Sequence, residues 1–212
     1  MKIKEIESAR IIALFQQIRE RQEREDEHTN YKDAPALHEM AGLIRPYIAQ
    51  MEEAESDTLT DIAAVCRFLG ESYREMLRGT YAAEFFTAAF CAAVKTGNAD
   101  EELFRDAVKA RNWYVDDACE DLKQVATAVM TPETIEMAFA ESSKRTLKRD
   151  PVEMTAEYLA VIDEVEKKVA ENMTWCGRGS CHERWSLTRE YLEEKGIVWR
   201  SQGVMNPGWR FD

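Results

Sequence analysis

The residues best placed to bind a metal ion lie near the C-terminus, where Cys176, Cys181 and His182 form a C-x4-C-H pattern. Thiolate sulfur and imidazole nitrogen are ligands that zinc prefers, and a structural zinc site takes four of them. The pattern supplies three, so a fourth ligand must come from elsewhere in the chain, with His28 and His38 as the candidates. The alternative is that the two cysteines are unpaired thiols, and both interpretations stay open.

A second set of candidate ligands is an acidic cluster that consists of Asp116, Asp117, Glu120 and Asp121. In a helix, residues four apart lie on the same face, so the cluster forms two pairs of carboxylates. Each pair offers the oxygen ligands that Mg²⁺ binds, directly or through water or phosphate. The alternative is an acidic helix face that contacts only solvent.

Motifs for catalysis are absent or incomplete. The pair His182-Glu183 begins like the zinc-protease motif H-E-x-x-H, but Ser186 stands where the second histidine is required. Cys181 and His182 are adjacent on a predicted helix, so their side chains diverge and do not form a nucleophile–base pair. The sequence has no glycine-rich phosphate loop and no G-x-S-x-G motif. No catalytic residue is therefore assigned, although an enzyme with an unfamiliar site stays open.

The composition narrows the classes of partner. The 212 residues include 28 Lys and Arg against 40 Asp and Glu, which gives a net charge of −12. This excess of negative charge argues against nucleic acid and against an anionic membrane as partners. We expect no transmembrane helix, because no apolar run reaches about 18 residues. Cys66, Cys91 and Cys119 lie within helical patterns, which fits buried free thiols in a cytoplasmic protein.

Apolar residues recur at spacings of three and four through nearly all of residues 1–173, which predicts α-helices. Only 5 prolines and 9 glycines interrupt the chain. The predicted fold is all-α, with seven or eight helices packed as antiparallel hairpins in a helical domain of residues 1–173. Pro46 is expected to kink or split the second helix. The expected helices cover about residues 3–27, 36–55, 57–78, 80–95, 100–130, 132–149, 151–173 and 181–195.

One predicted hairpin combines small and aromatic residues at regular spacing, namely Leu69, Gly70 and Tyr73 followed by Ala82, Phe86 and Ala89. This spacing resembles the tetratricopeptide repeat, in which a small residue in each helix lets the pair pack tightly. The resemblance covers residues 63–95, with Cys66 at the tryptophan position and Val94 at the proline position. A divergent repeat and a generic helix pair both account for the spacing. The repeat would imply a scaffold that binds peptides or proteins on a concave helical surface.

Residues 174–212 differ from the rest of the chain, because they hold four of its five tryptophans: Trp175, Trp185, Trp199 and Trp209. Tryptophan in irregular backbone indicates a segment that packs on something, since exposed indole is costly. We expect this segment to pack on the helical domain, with Trp199 and Trp209 substantially buried. Gly196 is expected to end its one helix. A recognition surface for a partner is the alternative.

The sequence therefore predicts a non-catalytic helical scaffold that binds a protein or peptide partner and needs no cofactor. The alternative is a metal-binding protein or metal-dependent enzyme. It would use either the acidic cluster or a zinc site at Cys176, Cys181 and His182. Elemental analysis of the purified protein separates the two classes.

Overall fold

A computed structural model describes residues 2–23, 31–114, 119–142, 147–175 and 177–211. These residues form ten α-helices and no strand, which confirms the all-α prediction. The helices are α1 (Glu5–Gln22), α2 (Ala34–Ile48), α3 (Ser56–Glu75), α4 (Gly79–Thr96), α5 (Glu101–Tyr114), α6 (Glu120–Ala126), α7 (Pro132–Ser142), α8 (Ala156–Asn172), α9 (Ser180–Glu194) and α10 (Gln202–Met205). None of the helices in these ranges is both long enough and apolar enough to cross a membrane.

The chain divides into two compact units. The first comprises Met1–Glu25 and Pro35–Lys144, and the second comprises Asp26–Ala34 and Arg145–Asp212. The second unit therefore contains α8, α9 and α10 together with the tryptophan-rich segment. The division into a helical domain of residues 1–173 and a segment of residues 174–212 that packs on it stays a prediction.

The centre of the first unit is the hairpin of α3 and α4. As its composition predicted, α4 is buried on most sides, and Phe85, Phe86 and Phe90 are fully buried. A Cβ atom at Gly70 of α3 would lie 2.8 Å from the Phe86 ring, which is closer than real contacts allow. Glycine at this position lets the aromatic ring of α4 pack directly on the backbone of α3.

The turn between α3 and α4 is made by Leu77 in the left-handed conformation, with φ of 60°. The Leu77 N–H donates to the carbonyl of Arg74 at 3.0 Å, and the Arg78 N–H donates to the carbonyl of Tyr73 at 2.8 Å. These are the two hydrogen bonds of a Schellman motif, which glycine usually closes. Here a leucine adopts a conformation that favours glycine.

The predicted long helix of residues 100–130 is interrupted, which corrects the sequence interpretation. The helix α5 ends at Tyr114, and Cys119 has a left-handed φ of 55° directly before α6. An α-helix does not continue through a residue in that conformation. Periodicity missed the break because apolar residues continue at helical spacing on both sides. Pro46 does not split α2, which continues to Ile48.

The second unit is built around the apolar stripe of α8. The stripe is buried, as its spacing predicted, and its core residues are Tyr158, Ile162, Val165 and Val169. Leu192 of α9 and Trp199 complete this cluster. The predicted end of α9 at Gly196 is confirmed, since this glycine has a left-handed φ of 76°.

Candidate binding groove

Trp199 anchors the C-terminal segment to the 3₁₀ turn Pro151–Met154, which precedes α8. Its indole N–H donates to Oε1 of Glu153 at 2.8 Å, and both side chains are buried. Arg149 donates to Oε2 of the same carboxylate at 2.5 Å. A buried carboxylate is costly unless its oxygens accept hydrogen bonds, and these two donors satisfy one oxygen each. The predicted burial of Trp199 is confirmed.

Arg200 forms a second anchor on Asp150. Its guanidinium donates from Nε to Oδ2 at 3.0 Å and from Nη2 to Oδ1 at 3.2 Å, and its backbone N–H donates to Oδ2 at 2.7 Å. Burial alone would raise the pKa of Asp150. The hydrogen bonds from Arg200 and from the backbone N–H of Val152 outweigh burial, so the pKa lies below its ordinary value.

The third anchor is Asn206, whose side chain pairs with the backbone of Lys148. The Lys148 N–H donates to Oδ1 at 2.6 Å, and Nδ2 donates to the Lys148 carbonyl at 2.8 Å. The amide is buried, so these bonds are shielded from water. The three anchors together order residues 199–206 against the segment that leads into α8.

Two cavities of about 350 and 450 Å³ lie between α9 and this anchored segment. Four residues line both cavities: His182, Trp185, Ser201 and Val204. The first cavity is also lined by Ser186, Arg189, Trp199 and Arg200, and the second by Gly203, Trp209, Arg210 and Phe211. We call these twelve residues the C-terminal groove.

The Trp185 ring is the central wall of the groove. It meets His182 and Phe211 edge-to-face, with ring centroids 5.4 and 5.0 Å apart. A Cβ atom at Gly203 would lie 2.9 Å from the Trp185 ring, so glycine lets the anchored segment approach the indole closely. These contacts hold the wall in place.

The outer edge of the groove is apolar and open to solvent. Trp209 is 56% exposed and Val204 is 60% exposed. The predicted burial of Trp209 is wrong, because the anchoring hydrogen bonds end at Asn206. Beyond that residue no described side chain ties the segment to α8, and the indole stays at the surface.

Three arginines give the groove a cationic lining, and none of its twelve residues is acidic. Arg200 is paired with Asp150. Within the described ranges, neither Arg189 nor Arg210 forms an ion pair or hydrogen bond through its guanidinium. A guanidinium offers planar donors that match a carboxylate or phosphate, and it stacks on aromatic faces. The groove therefore combines donors for an anion with apolar surface for a hydrophobic group.

His182 and Ser186 lie one turn apart on α9 and both line the first cavity. No hydrogen bond joins these two described side chains.

Only part of the predicted zinc site lies within the described residues. Cys176 lies outside the described residues, Cys181 is half-buried, and His182 is exposed with its ring against Trp185. The described ranges contain no group of three or more His, Cys, Asp or Glu side chains that could hold a metal ion.

The predicted magnesium ligands Asp116 and Asp117 also lie outside the described residues. Glu120 begins α6 and is exposed. Asp121 accepts two hydrogen bonds from Arg111, at 2.7 and 2.6 Å. Burial raises the pKa of Asp121, but the bonds from Arg111 and from backbone N–H groups together outweigh burial and lower it overall. This carboxylate is engaged within the protein rather than directed at a ligand.

The cysteines of the first unit are free thiols, as predicted. Burial raises the pKa of Cys66 far above its ordinary value, and it also raises the pKa of Cys91 and Cys119. The thiolate is the reactive form of cysteine, so these three residues are poor nucleophiles at neutral pH.

Sequence reasoning missed the anchoring stretch of residues 148–153, which it interpreted as the junction of two helices. No local pattern predicts hydrogen bonds between residues about fifty positions apart. The sequence does contain one indication of a cationic groove. Residues 174–212 hold six basic and five acidic side chains, whereas the chain as a whole is acidic.

Comparison of the chain with protein families, with curated proteins and with solved structures found no match. The resemblance of residues 63–95 to a tetratricopeptide repeat therefore stays a prediction.

Proposed function

We propose that the protein is a non-catalytic binding module that holds a segment of a protein or peptide partner in the C-terminal groove. The observation that carries this proposal is the exposure of Trp209 and Val204 beside Arg189 and Arg210. Exposed aromatic surface next to arginine is the composition typical of protein interfaces and of their strongest contacts.

The helices supply a rigid support for this groove. Trp185 is fixed on α9, which packs on the buried stripe of α8. In this proposal the hairpin of α3 and α4 belongs to a scaffold similar to a tetratricopeptide repeat. A cytoplasmic location is part of the proposal, since the described cysteines are free thiols, which a reducing compartment favours.

The proposal is tested by selecting peptides from a random library displayed on phage against the full-length protein. Selected peptides are then synthesised and titrated into the wild type and into two tryptophan variants. We expect Trp209→Ala to weaken binding at least tenfold, because truncation of this exposed tryptophan removes much of the apolar contact area that the groove offers a partner.

Trp175→Ala is the matched control. Trp175 is 58% exposed, nearly the same as Trp209, but it does not line the groove. We expect this variant to bind as the wild type does. Equal weakening in both variants, no effect of Trp209→Ala, or no selected peptide would contradict the proposal.

A further inference from the structure

We infer that the C-terminal groove selects an acidic peptide, in which a carboxylate side chain neighbours an aromatic one. This inference rests on the proposed function and adds the chemistry of the partner. The carboxylate would lie in the first cavity against Arg189, and the aromatic ring in the second cavity against Trp209.

The charge of the chain is distributed in a way that permits an acidic partner at this site. Residues 1–144 hold 17 basic and 28 acidic side chains, whereas residues 145–212 hold 11 basic and 12 acidic ones. The acidity is therefore concentrated outside the C-terminal part. Exposed charges farther than about 8 Å, the screening distance at physiological salt, act weakly on a ligand in the groove, whereas the lining arginines lie beside it.

The arginines of the groove differ in their availability. Arg200 is engaged by Asp150 through two guanidinium hydrogen bonds. Arg189 and Arg210 are exposed and make no ion pair with any residue in the described ranges. A carboxylate can accept two parallel hydrogen bonds from one such guanidinium.

The second cavity suits an aromatic side chain. Its walls include Trp185, Trp209 and Phe211, and its volume is about 450 Å³. A cavity of about 150 Å³ already accepts a benzene ring. Offset or edge-to-face contact with several rings adds to the apolar burial of an entering aromatic group.

A nucleic acid is the less favoured ligand for the same groove. Its affinity depends on neutralising several phosphates in a row, and the groove lining offers three arginines in a protein of net charge −12. A short acidic peptide needs only one or two ionic contacts.

The test uses four blocked peptides with Gly-Ser flanks, which differ in a three-residue centre: Glu-Phe-Glu, Gln-Phe-Gln, Lys-Phe-Lys or Glu-Ala-Glu. Binding to the full-length protein is measured by calorimetry at low and high NaCl. We expect Glu-Phe-Glu to bind most tightly. The Gln centre should bind about fivefold more weakly, as partly exposed ionic contacts predict, and the Ala centre should also bind more weakly because it lacks the ring that enters the second cavity. High salt should remove most of the advantage over the Gln centre.

Two arginine variants show where the charge is recognised. Arg189→Glu should reverse the preference, so that Lys-Phe-Lys binds more tightly than Glu-Phe-Glu. Arg184→Glu changes the same helix outside the groove and should preserve the wild-type order. A reversal of this kind does not follow from a loss of structure.

The failures of the two proposals are distinguishable. Equal affinity for the Glu, Gln and Lys centres overturns the acidic preference, while groove-dependent binding of library peptides leaves the proposed function in place. Tighter groove binding by a single-stranded oligonucleotide than by Glu-Phe-Glu also overturns it. If no peptide binds more weakly to Trp209→Ala than to the wild type, both proposals are overturned.

Discussion

The indole N–H of Trp199 donates to the buried carboxylate of Glu153 across 46 positions of sequence. The same carboxylate accepts from Arg149, so one acidic side chain ties the C-terminal segment to the entrance of α8. The groove exists because of this attachment. Its inner wall is Trp199, and the residues that follow Trp199 form the side opposite α9.

Trp199→Phe removes the donor and keeps most of the ring. We expect the free energy of unfolding of the second unit to fall by about 2 kcal/mol, the range for a hydrogen bond to a charged group. Urea denaturation followed by near-ultraviolet circular dichroism measures the change. Trp175→Phe is the control, because its indole donates to the Arg178 carbonyl from an exposed position, and it should shift stability by less than about 0.5 kcal/mol. Equal shifts would show that the anchor adds no stability.

The lowered pKa of Asp150 makes part of the stability depend on pH. The folded-state pKa lies below the unfolded-state value of about 3.9. The stabilisation is therefore complete above that pH and is lost as the pH falls through the lower folded-state pKa. We expect Asp150→Asn to be less stable than the wild type at pH 7 and to lose less stability between about pH 5 and pH 2.

Urea midpoints across this pH range measure the effect of Asp150→Asn. Asp61→Asn, at an exposed position of α3, is the control for the loss of one acidic group. If the urea midpoints of the wild type and of Asp150→Asn fall equally as the pH is lowered, the bonds from Arg200 do not hold this carboxylate in its charged form.

The contact between Gly70 and Phe86 predicts that the effect of Gly70→Ala on the free energy of unfolding depends on whether the Phe86 ring is present. Phe86→Ala should cost about 3 to 5 kcal/mol, since it removes a fully buried ring. Gly70→Ala should destabilise the wild type, because the added Cβ would meet the Phe86 ring at 2.8 Å. In the Phe86→Ala background that contact is gone. The same change should then be neutral or stabilising by up to about 1 kcal/mol, the helix preference for alanine.

Gly42→Ala in α2 provides the reference for this cycle. Nothing lies within 4 Å of a Cβ at Gly42, so alanine should stabilise the helix by about 1 kcal/mol. Thermal unfolding of the wild type and the four variants measures all these terms. Equal effects of Gly70→Ala with and without the Phe86 ring would contradict the packing argument.

The predictable part of the fold is the part that local periodicity determines. The stripe of α8 and the buried faces of α4 follow from spacings of three and four, because such spacing places apolar groups on one side of a helix. The break before α6 did not follow. It depends on a left-handed Cys119, and no glycine or proline there marks it.

The candidate site was predictable only in outline. Clustered tryptophans indicated that residues 174–212 contact something, and Trp199 is buried as expected. Trp209 faces solvent because the anchoring hydrogen bonds end at Asn206. The pairing of Asn206 with Lys148 could not be predicted, since no local sequence pattern indicates a contact between residues 58 positions apart. The arginine lining likewise forms only because Arg189 and Arg210, separated by 21 positions, line the two neighbouring cavities of one groove.

The turn at Leu77 offers a stabilising substitution. A residue other than glycine in the left-handed conformation lowers stability by about 1 to 2 kcal/mol. Glycine avoids this cost, but its greater freedom in the unfolded chain lowers stability by about 0.5 to 1 kcal/mol. Leu77 is 45% exposed, so little packing is lost with its side chain. We therefore expect Leu77→Gly to raise the free energy of unfolding of the first unit by about 0.5 to 1 kcal/mol, measured by urea denaturation.

Two further variants separate the backbone from the side chain at this turn. Leu77→Ala keeps the Cβ and should give no gain. Gly97→Ala places a Cβ at the equivalent position after α4, where φ is 72° and nothing lies within 4 Å of the added atom. Its expected loss of about 1 kcal/mol is thus a backbone effect alone. A gain from Leu77→Ala as large as that from Leu77→Gly would show that the leucine side chain, rather than its left-handed conformation, limits the stability of the hairpin.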